Sequence, residues 1–140
     1  MIRLNRSFPA RLGAFEQVRA LVEEFGALVP LGREDRHKLT LIVEELFINT
    51  VTHGHRGDSD APISITFEED NGDVKLTYED SAPPFDPLEA GRRTDIDSTI
   101  KARRVGGLGI FISIGLTEKA NYSYVEGHNR ICLRISASGN

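Results

Sequence analysis

The chain predicts an α+β two-layer α/β sandwich, a mixed and mostly antiparallel sheet carrying helices on one face. Three observations carry that class. Apolar residues recur at helical spacing in two early blocks, around Phe15–Phe25 and Leu39–Thr50. Two later blocks alternate about turn residues, Ile63 to Tyr78 around Asn71-Gly72 and Tyr122 to Ile135 around Gly127. The strands therefore come as hairpins with helices between them, in the order β-α-α-β-β-loop-α-β-β, which places helices on one face of an antiparallel sheet.

Each element has its own reason. Ile2, Leu4 and Phe8 alternate as a short strand that Pro9 ends. From Ala10 to Phe25, residues Phe15, Val18, Leu21, Val22 and Phe25 mark a helix for which Gly26 is the expected stop. A second helix starts at Arg33 or Glu34, with Glu34 and Asp35 in the first turn where the helix dipole favours acids. Its apolar stripe is Leu39, Ile42, Val43, Leu46 and Thr50, and Gly54 is its expected C-terminal residue. Ile63, Ile65 and Phe67 pair across Asn71-Gly72 with Val74, Leu76 and Tyr78. Residues 81–105 hold three prolines, many charges and little periodicity, and an unpatterned segment that long in a compact domain points to function. Gly106 to Leu116 reads as a glycine-rich loop opening into a third helix, and a Gly127-His128-Asn129 turn joins the last two strands. No repeat or domain boundary interrupts residues 1–140, so a single domain is expected.

Composition narrows the function classes. The apolar and charged fractions, 39% and 27%, are those of a globular chain able to build a core. A net charge of −4 without a basic stripe argues against direct nucleic-acid binding, and Lys101, Arg103 and Arg104 form the one local basic cluster. The single cysteine, Cys132, rules out a disulfide within the chain, fits a reducing compartment, and in an alternating stretch is expected as a small buried hydrophobe. The N-terminus lacks a signal-peptide core and no stretch reaches membrane-spanning length, so a cytoplasmic protein without membrane contact is expected.

Three stretches hold chemistry-bearing residues. In Glu44-Glu45-Leu46-Phe47-Ile48-Asn49, the step of four from Glu45 to Asn49 and on to His53 drifts by roughly 40° per step, so the three border the apolar stripe. A solvated helix edge has the same pattern. A mid-helix asparagine asks for a partner, however, and a carboxylate and an amide oxygen one turn apart suit a proton transfer beside a hard cation such as Mg²⁺. In the second stretch, Asp80 follows a strand and precedes Ser81-Ala82-Pro83-Pro84-Phe85-Asp86-Pro87, which is either an ordinary turn or a hydrogen-bonding site at the sheet edge. In the third, Gly106, Gly107 and Gly109 let backbone approach a ligand closely, and the following helix start offers free N–H groups to phosphate. That spacing fits neither a Walker loop nor a dinucleotide fingerprint.

Taken together and in this order, Glu45-x-x-x-Asn49, Asp80 with Phe85-Asp86-Pro87, and Gly106-Gly107-Leu108-Gly109-Ile110 resemble the N-box and the two glycine boxes of the GHKL (Bergerat-fold) ATP-binding superfamily. The likeness is greatest to the stand-alone anti-sigma factor serine kinases of the RsbW/SpoIIAB type, and it covers nearly the whole chain as one histidine kinase-like ATPase domain. The resemblance implies ATP and Mg²⁺, with Asn49 as metal ligand and Glu45 as catalytic base. It implies that Asp80 takes the hydrogen bond of the adenine amino group, with Ala82 and Phe85 beside the nucleotide. Gly106, Gly107, Leu108, Gly109 and Ile110 would cradle phosphates, and residues 86–105 would form an ATP lid to which Lys101, Arg103 or Arg104 brings charge. His53 is expected as support beside the site, and Glu44 as a solvated residue.

By the same resemblance, the function is that of an ATP-dependent protein serine kinase and anti-sigma-type regulator in a partner-switching module. Its partners would be a STAS-type antagonist protein, which it phosphorylates, a sigma factor or analogous target, and a second copy in a homodimer. An ATP-gated interaction module without phosphotransfer is the alternative. The first glycine box departs from the D-x-G-x-G pattern: Ala82 and Pro84 stand at its glycines. Pro84 offers no N–H, and Ala82 brings a methyl group where backbone closeness to adenine is the rule.

Overall fold

Side-chain alternation builds the sheet first. The computed structural model describes residues 1–88 and 119–136. Within them, strands Ile2–Pro9 (β1), Pro62–Asp70 (β2), Asp73–Asp80 (β3), Lys119–Val125 (β4) and His128–Ser136 (β5) form one sheet in the order β1-β2-β3-β5-β4. Every pairing is antiparallel. The register aligns Leu4, Phe67, Leu76, Leu133 and Ala120 in one row against the core, and Asn5, Thr66, Thr77, Cys132 and Asn121 in the next row on the opposite face. A period of two thus separates an apolar face from a polar one. Asn71 and Gly72 take φ of 54° and 89°, the left-handed pair that a two-residue hairpin needs.

The same register corrects the expectation for Cys132. Ile131, Leu133 and Ile135 point to the core, so Cys132 between them points away from it. It is half-buried on the polar face, its Sγ 3.9 Å from Thr77 Oγ1.

Two helices, Phe15–Leu28 (α1) and Arg33–Asn49 (α2), cover the apolar face. Phe25 of α1 stacks on Phe67 of β2 at 5.2 Å, and Phe15 meets Phe47 of α2 at 5.8 Å. The first helix differs from the expected Ala10–Phe25 at both ends. A 3₁₀ turn, Leu12–Ala14, precedes it, and it runs through Gly26 to Leu28. Gly26 is buried, and a β-carbon there would stand 2.5 Å from Arg36 Nε. The Arg36 guanidinium donates to the Gly26 carbonyl at 3.0 Å and to Glu23 at 3.1 Å. Gly26 is therefore a gap into which an arginine of α2 packs, and the helix does not stop at it.

The second helix buries the expected stripe of Leu39, Ile42, Val43, Leu46 and Thr50. Its α-helical part ends at Asn49, and Thr50–Gly54 closes as a π turn in which the His55 N–H reaches the Thr50 carbonyl at 2.9 Å. Two hydroxyls crowd the Leu46 carbonyl at this point, Thr50 Oγ1 at 3.0 Å and Tyr78 at 3.1 Å. Insertion of side-chain groups into the ladder is a recognised cause of such widening. Among the described residues, no helix is long and apolar enough to cross a membrane.

Candidate functional site

The π turn, the end of β3, the loop after it and the β4–β5 hairpin enclose a cavity of about 260 Å³. Asn49, Thr50 and His53 line it from the helix side, Tyr78 and Asp80 from the sheet, and Ala82 and Phe85 from the loop. Asn49 and Asp80, far apart in sequence, thus meet at one space. Glu45 is not in the lining. It lies one turn before Asn49, whose amide Nδ2 donates to Glu45 Oε2 at 3.5 Å.

Asp80 is the last residue of β3 and not, as expected, a residue past the strand end. It continues the inward alternation of Val74, Leu76 and Tyr78 and is buried. Its Oδ1 accepts the Asn129 amide at 2.8 Å and the Ala82 N–H at 3.2 Å, and its Oδ2 accepts the Thr50 hydroxyl at 2.7 Å. The single Thr50 proton belongs to this short contact with a charged acceptor. The Tyr78 hydroxyl, 2.7 Å from Thr50 Oγ1, then donates to Thr50 or to the Leu46 carbonyl. Burial, with the charge of Asp80 adding to it, holds the Tyr78 phenol well above its ordinary pKa, so it stays a donor. A carboxylate offers about four accepting positions. Among the described residues three are filled, and the remaining one is on Oδ2.

Asn129 is the site residue that sequence reading missed. The expected Gly127-His128-Asn129 turn is instead a two-residue turn at Glu126 and Gly127, with φ of 50° and 83°, and Asn129 lies in β5 directly opposite Asp80. Its amide nitrogen contacts Asp80, the Ala82 carbonyl at 3.0 Å and the Pro83 carbonyl at 3.1 Å. Its oxygen accepts the Phe85 N–H at 3.0 Å and a short bond from the Tyr122 hydroxyl. One side chain therefore fixes the whole loop from Ala82 to Phe85. The inward rhythm of Ile135, Leu133 and Ile131 extends to 129, and that was the available signal. We expect Asn129→Ala to lower unfolding free energy by on the order of 2 kcal/mol, since it orphans buried polar partners. Urea unfolding measures this, and a change near zero would show that water replaces the clamp.

The remaining expected residues sort as follows. Phe85 is half exposed and lines the cavity, and Ala82 lines it while buried. His53 is exposed and lines the cavity, as does Arg56, which holds φ of 60° two residues after the π turn. Glu44 is half-exposed. Lys101, Arg103, Arg104 and Gly106 through Ile110 lie outside the described residues, as does all of the 86–105 segment after Leu88.

Glu45 has the electrostatics of a proton acceptor. Partial burial raises its pKa first, the charge of Glu44 raises it further, and the Asn49 hydrogen bond opposes both. With Nδ2 turned to Glu45, the Asn49 carbonyl oxygen is the atom left to meet a hard cation. Mg²⁺ keeps several waters and takes few protein oxygens, so one amide oxygen together with phosphate oxygens fits its habits. Among the described residues no group of three or more His, Cys, Asp or Glu gathers to hold a metal.

Comparison with known proteins agrees with this geometry. Residues 8–135 match the family described as the histidine kinase-like ATPase domain. The serine-protein kinase RsbW of Listeria monocytogenes is 27% identical over 93 residues, and that of Listeria innocua 26%. Both alignments cover 64% of this chain and 59% of the relative, so the chain spans about three fifths of the length of the relatives it matches. Among solved structures, the RsbU and RsbW domains of Rv1364c from Mycobacterium tuberculosis superpose with a TM-score of 0.68 at 19% identity, covering 97% of this chain and 32% of that one. A catalytic domain of the histidine kinase ThkA superposes with a TM-score of 0.57 at 19% identity, covering 97% of both. The fold, the cavity at the end of its N-box helix and the matched span converge: this chain belongs to the histidine kinase-like ATPase domain family, within the GHKL superfamily.

Proposed function

We propose that the cavity binds Mg-ATP and that the protein is a serine kinase and anti-sigma-type regulator of a partner-switching module. The observation that carries this reading is the meeting of Asn49 and Asp80 at one cavity, with the raised-pKa carboxyl of Glu45 one helical turn away. The kinase-like family and the RsbW relatives support it. The acceptor would be a serine of a small STAS-type antagonist, and the regulated partner a sigma factor or an analogous protein.

Each side chain then has a task. Asp80 accepts the adenine amino group on its remaining Oδ2 position while Thr50 and Asn129 hold the carboxylate still. Phe85 offers an aromatic face to the base. Asn49 is the residue to hold Mg²⁺, which when bound neutralises phosphate charge. Glu45 takes the proton of the serine hydroxyl as its oxygen bonds to the γ-phosphorus, the bond to the bridging oxygen breaks, and ADP leaves with that electron pair. Such transfer needs mainly positioning and charge stabilisation, and the loop from Ala82 to Phe85 that Asn129 fixes would serve the positioning.

A pH dependence follows. Below its pKa the Glu45 carboxyl is protonated and accepts nothing, so the rate rises with pH through that value. Because burial raises the value, the acid limb of single-turnover phosphotransfer is expected above the ordinary glutamate pKa. A profile flat down to about pH 4.3 would contradict Glu45 as the base.

The alternative, an ATP-gated interaction module without phosphotransfer, draws on Ala82 and Pro84 at the glycines of the first box. Incubating the protein with γ-labelled Mg-ATP and its small antagonist separates the two. Label on an antagonist serine supports the kinase; saturable ATP binding with no label on any acceptor supports gating.

A further inference from the structure

The alanine at the first glycine of the box has a partner that removes its cost. A β-carbon added to Gly54 would stand 2.8 Å from the Ala82 Cβ, closer than real Cβ contacts come. Gly54 ends the π turn that follows Asn49, and Ala82 is buried in the loop that follows Asp80. The methyl group that the loop gains at 82 thus occupies the space that the helix end lacks at 54. The geometry points to Gly54 as a positioning residue for the nucleotide site: its missing side chain sets how close the Asp80–Phe85 loop sits to the N-box helix, and so where Asp80 points. This rests on the reading of the cavity as a nucleotide site.

Neither side of the contact yields easily. The Ala82 methyl is bonded directly to backbone, so relieving a clash moves the chain itself. That chain is fixed by Asn129, which accepts the Phe85 N–H and donates to the Ala82 and Pro83 carbonyls. Pro83 and Pro84 restrict it further. The Ala82 N–H is a direct ligand of Asp80 Oδ1, so displacement of residue 82 reaches the carboxylate through one hydrogen bond. On the other side, the π turn is tied by the His55 N–H to the Thr50 carbonyl at 2.9 Å and the Gly57 N–H to the Val51 carbonyl at 2.7 Å. Thr50 in that turn holds Asp80 Oδ2. A strained 54–82 contact therefore pulls on both oxygens of the same carboxylate.

The test is a double-mutant cycle read by calorimetric titration with Mg-ATP. Wild type, Gly54→Ala, Ala82→Gly and the double variant are compared at a temperature where circular dichroism shows all of them folded. Gly54→Ala is expected to weaken binding by about tenfold or more, the consequence of forcing a methyl group into a filled contact. Ala82→Gly measures what the loop methyl group itself contributes to binding, and the double variant should recover most of the Gly54→Ala loss, because it moves the methyl group from one side of the contact to the other. Gly54→Ala binding like wild type, even with a lowered melting temperature, makes the contact structural and overturns the inference. A double variant as weak as Gly54→Ala overturns it also. Should Gly54→Ala fail to fold, the double variant decides alone: wild-type-like binding supports the inference and lost binding overturns it. Absence of binding by the wild type overturns the nucleotide reading and this inference with it, whereas the preceding failures leave that reading standing.

Discussion

Glu45→Gln is expected to lower phosphotransfer by about 10²- to 10⁴-fold, the usual worth of a positioned general base, while Mg-ATP binding survives. The geometry separates the two effects, because Glu45 stands outside the cavity lining and Asn49 inside it. Glutamine still accepts the Asn49 Nδ2 hydrogen bond through its carbonyl, so Asn49 keeps its orientation. Stability gives an independent check. A carboxyl whose pKa is raised by folding binds its proton more tightly in the native state, so its contribution is full at low pH and is lost as pH rises through the raised value. At neutral pH the charged form is a burden, and the neutral amide removes both the burial cost and the repulsion from Glu44. The variant should therefore unfold at neutral pH no more readily than wild type. Single-turnover transfer, titration calorimetry and urea unfolding on the same preparation read all three quantities, and an unchanged transfer rate would remove Glu45 from the mechanism.

Asp80→Asn is expected to have the largest effect on binding. The carboxylate accepts from Thr50, Asn129 and the Ala82 N–H, and every one of these contacts delivers a donor. An amide supplies only one oxygen, so its NH₂ group must face either Asn129 or Thr50, donor against donor in one case. Loss of a hydrogen bond to a buried charge costs about 1.5–3 kcal/mol, and the position left for an adenine amino group is lost or reversed with it. Mg-ATP affinity should fall by about 100-fold or more, equivalent to about 2.7 kcal/mol, and the urea midpoint should fall too. Binding within a few fold of wild type would place the base elsewhere.

Particular residues show what the sequence made legible. Asn71-Gly72 located its hairpin because only a few residues accept two successive left-handed conformations, a local constraint that tertiary context rarely overrides. The stripes of both helices were readable for the same reason, since burial enforces period. The ends of the first helix were not, whereas the second opens at Arg33 as expected. Gly26 looks like a stop in one dimension and is a notch for Arg36 in three. Thr50 was legible as part of a buried stripe but not as a ligand of Asp80, because its partner comes from a strand thirty positions later. Asn129 was disguised by a neighbouring glycine and by its own preference for turns. Asn49, Asp80, Ala82 and Phe85, singled out by motif resemblance, meet at one cavity. The network that fixes them, Thr50, Tyr78 and Asn129, depends on pairings distant in sequence.

On the proposed function, the cavity between α2 and the Asp80 loop takes Mg-ATP. Titration calorimetry of the wild-type protein with Mg-ATP, repeated with Mg-GTP, tests it most directly. Saturable binding of one ATP per chain is expected, with GTP much weaker because guanine carries an oxo group where adenine has the amino group that Asp80 would accept. No binding up to millimolar Mg-ATP, or equal binding of the two nucleotides, would contradict it.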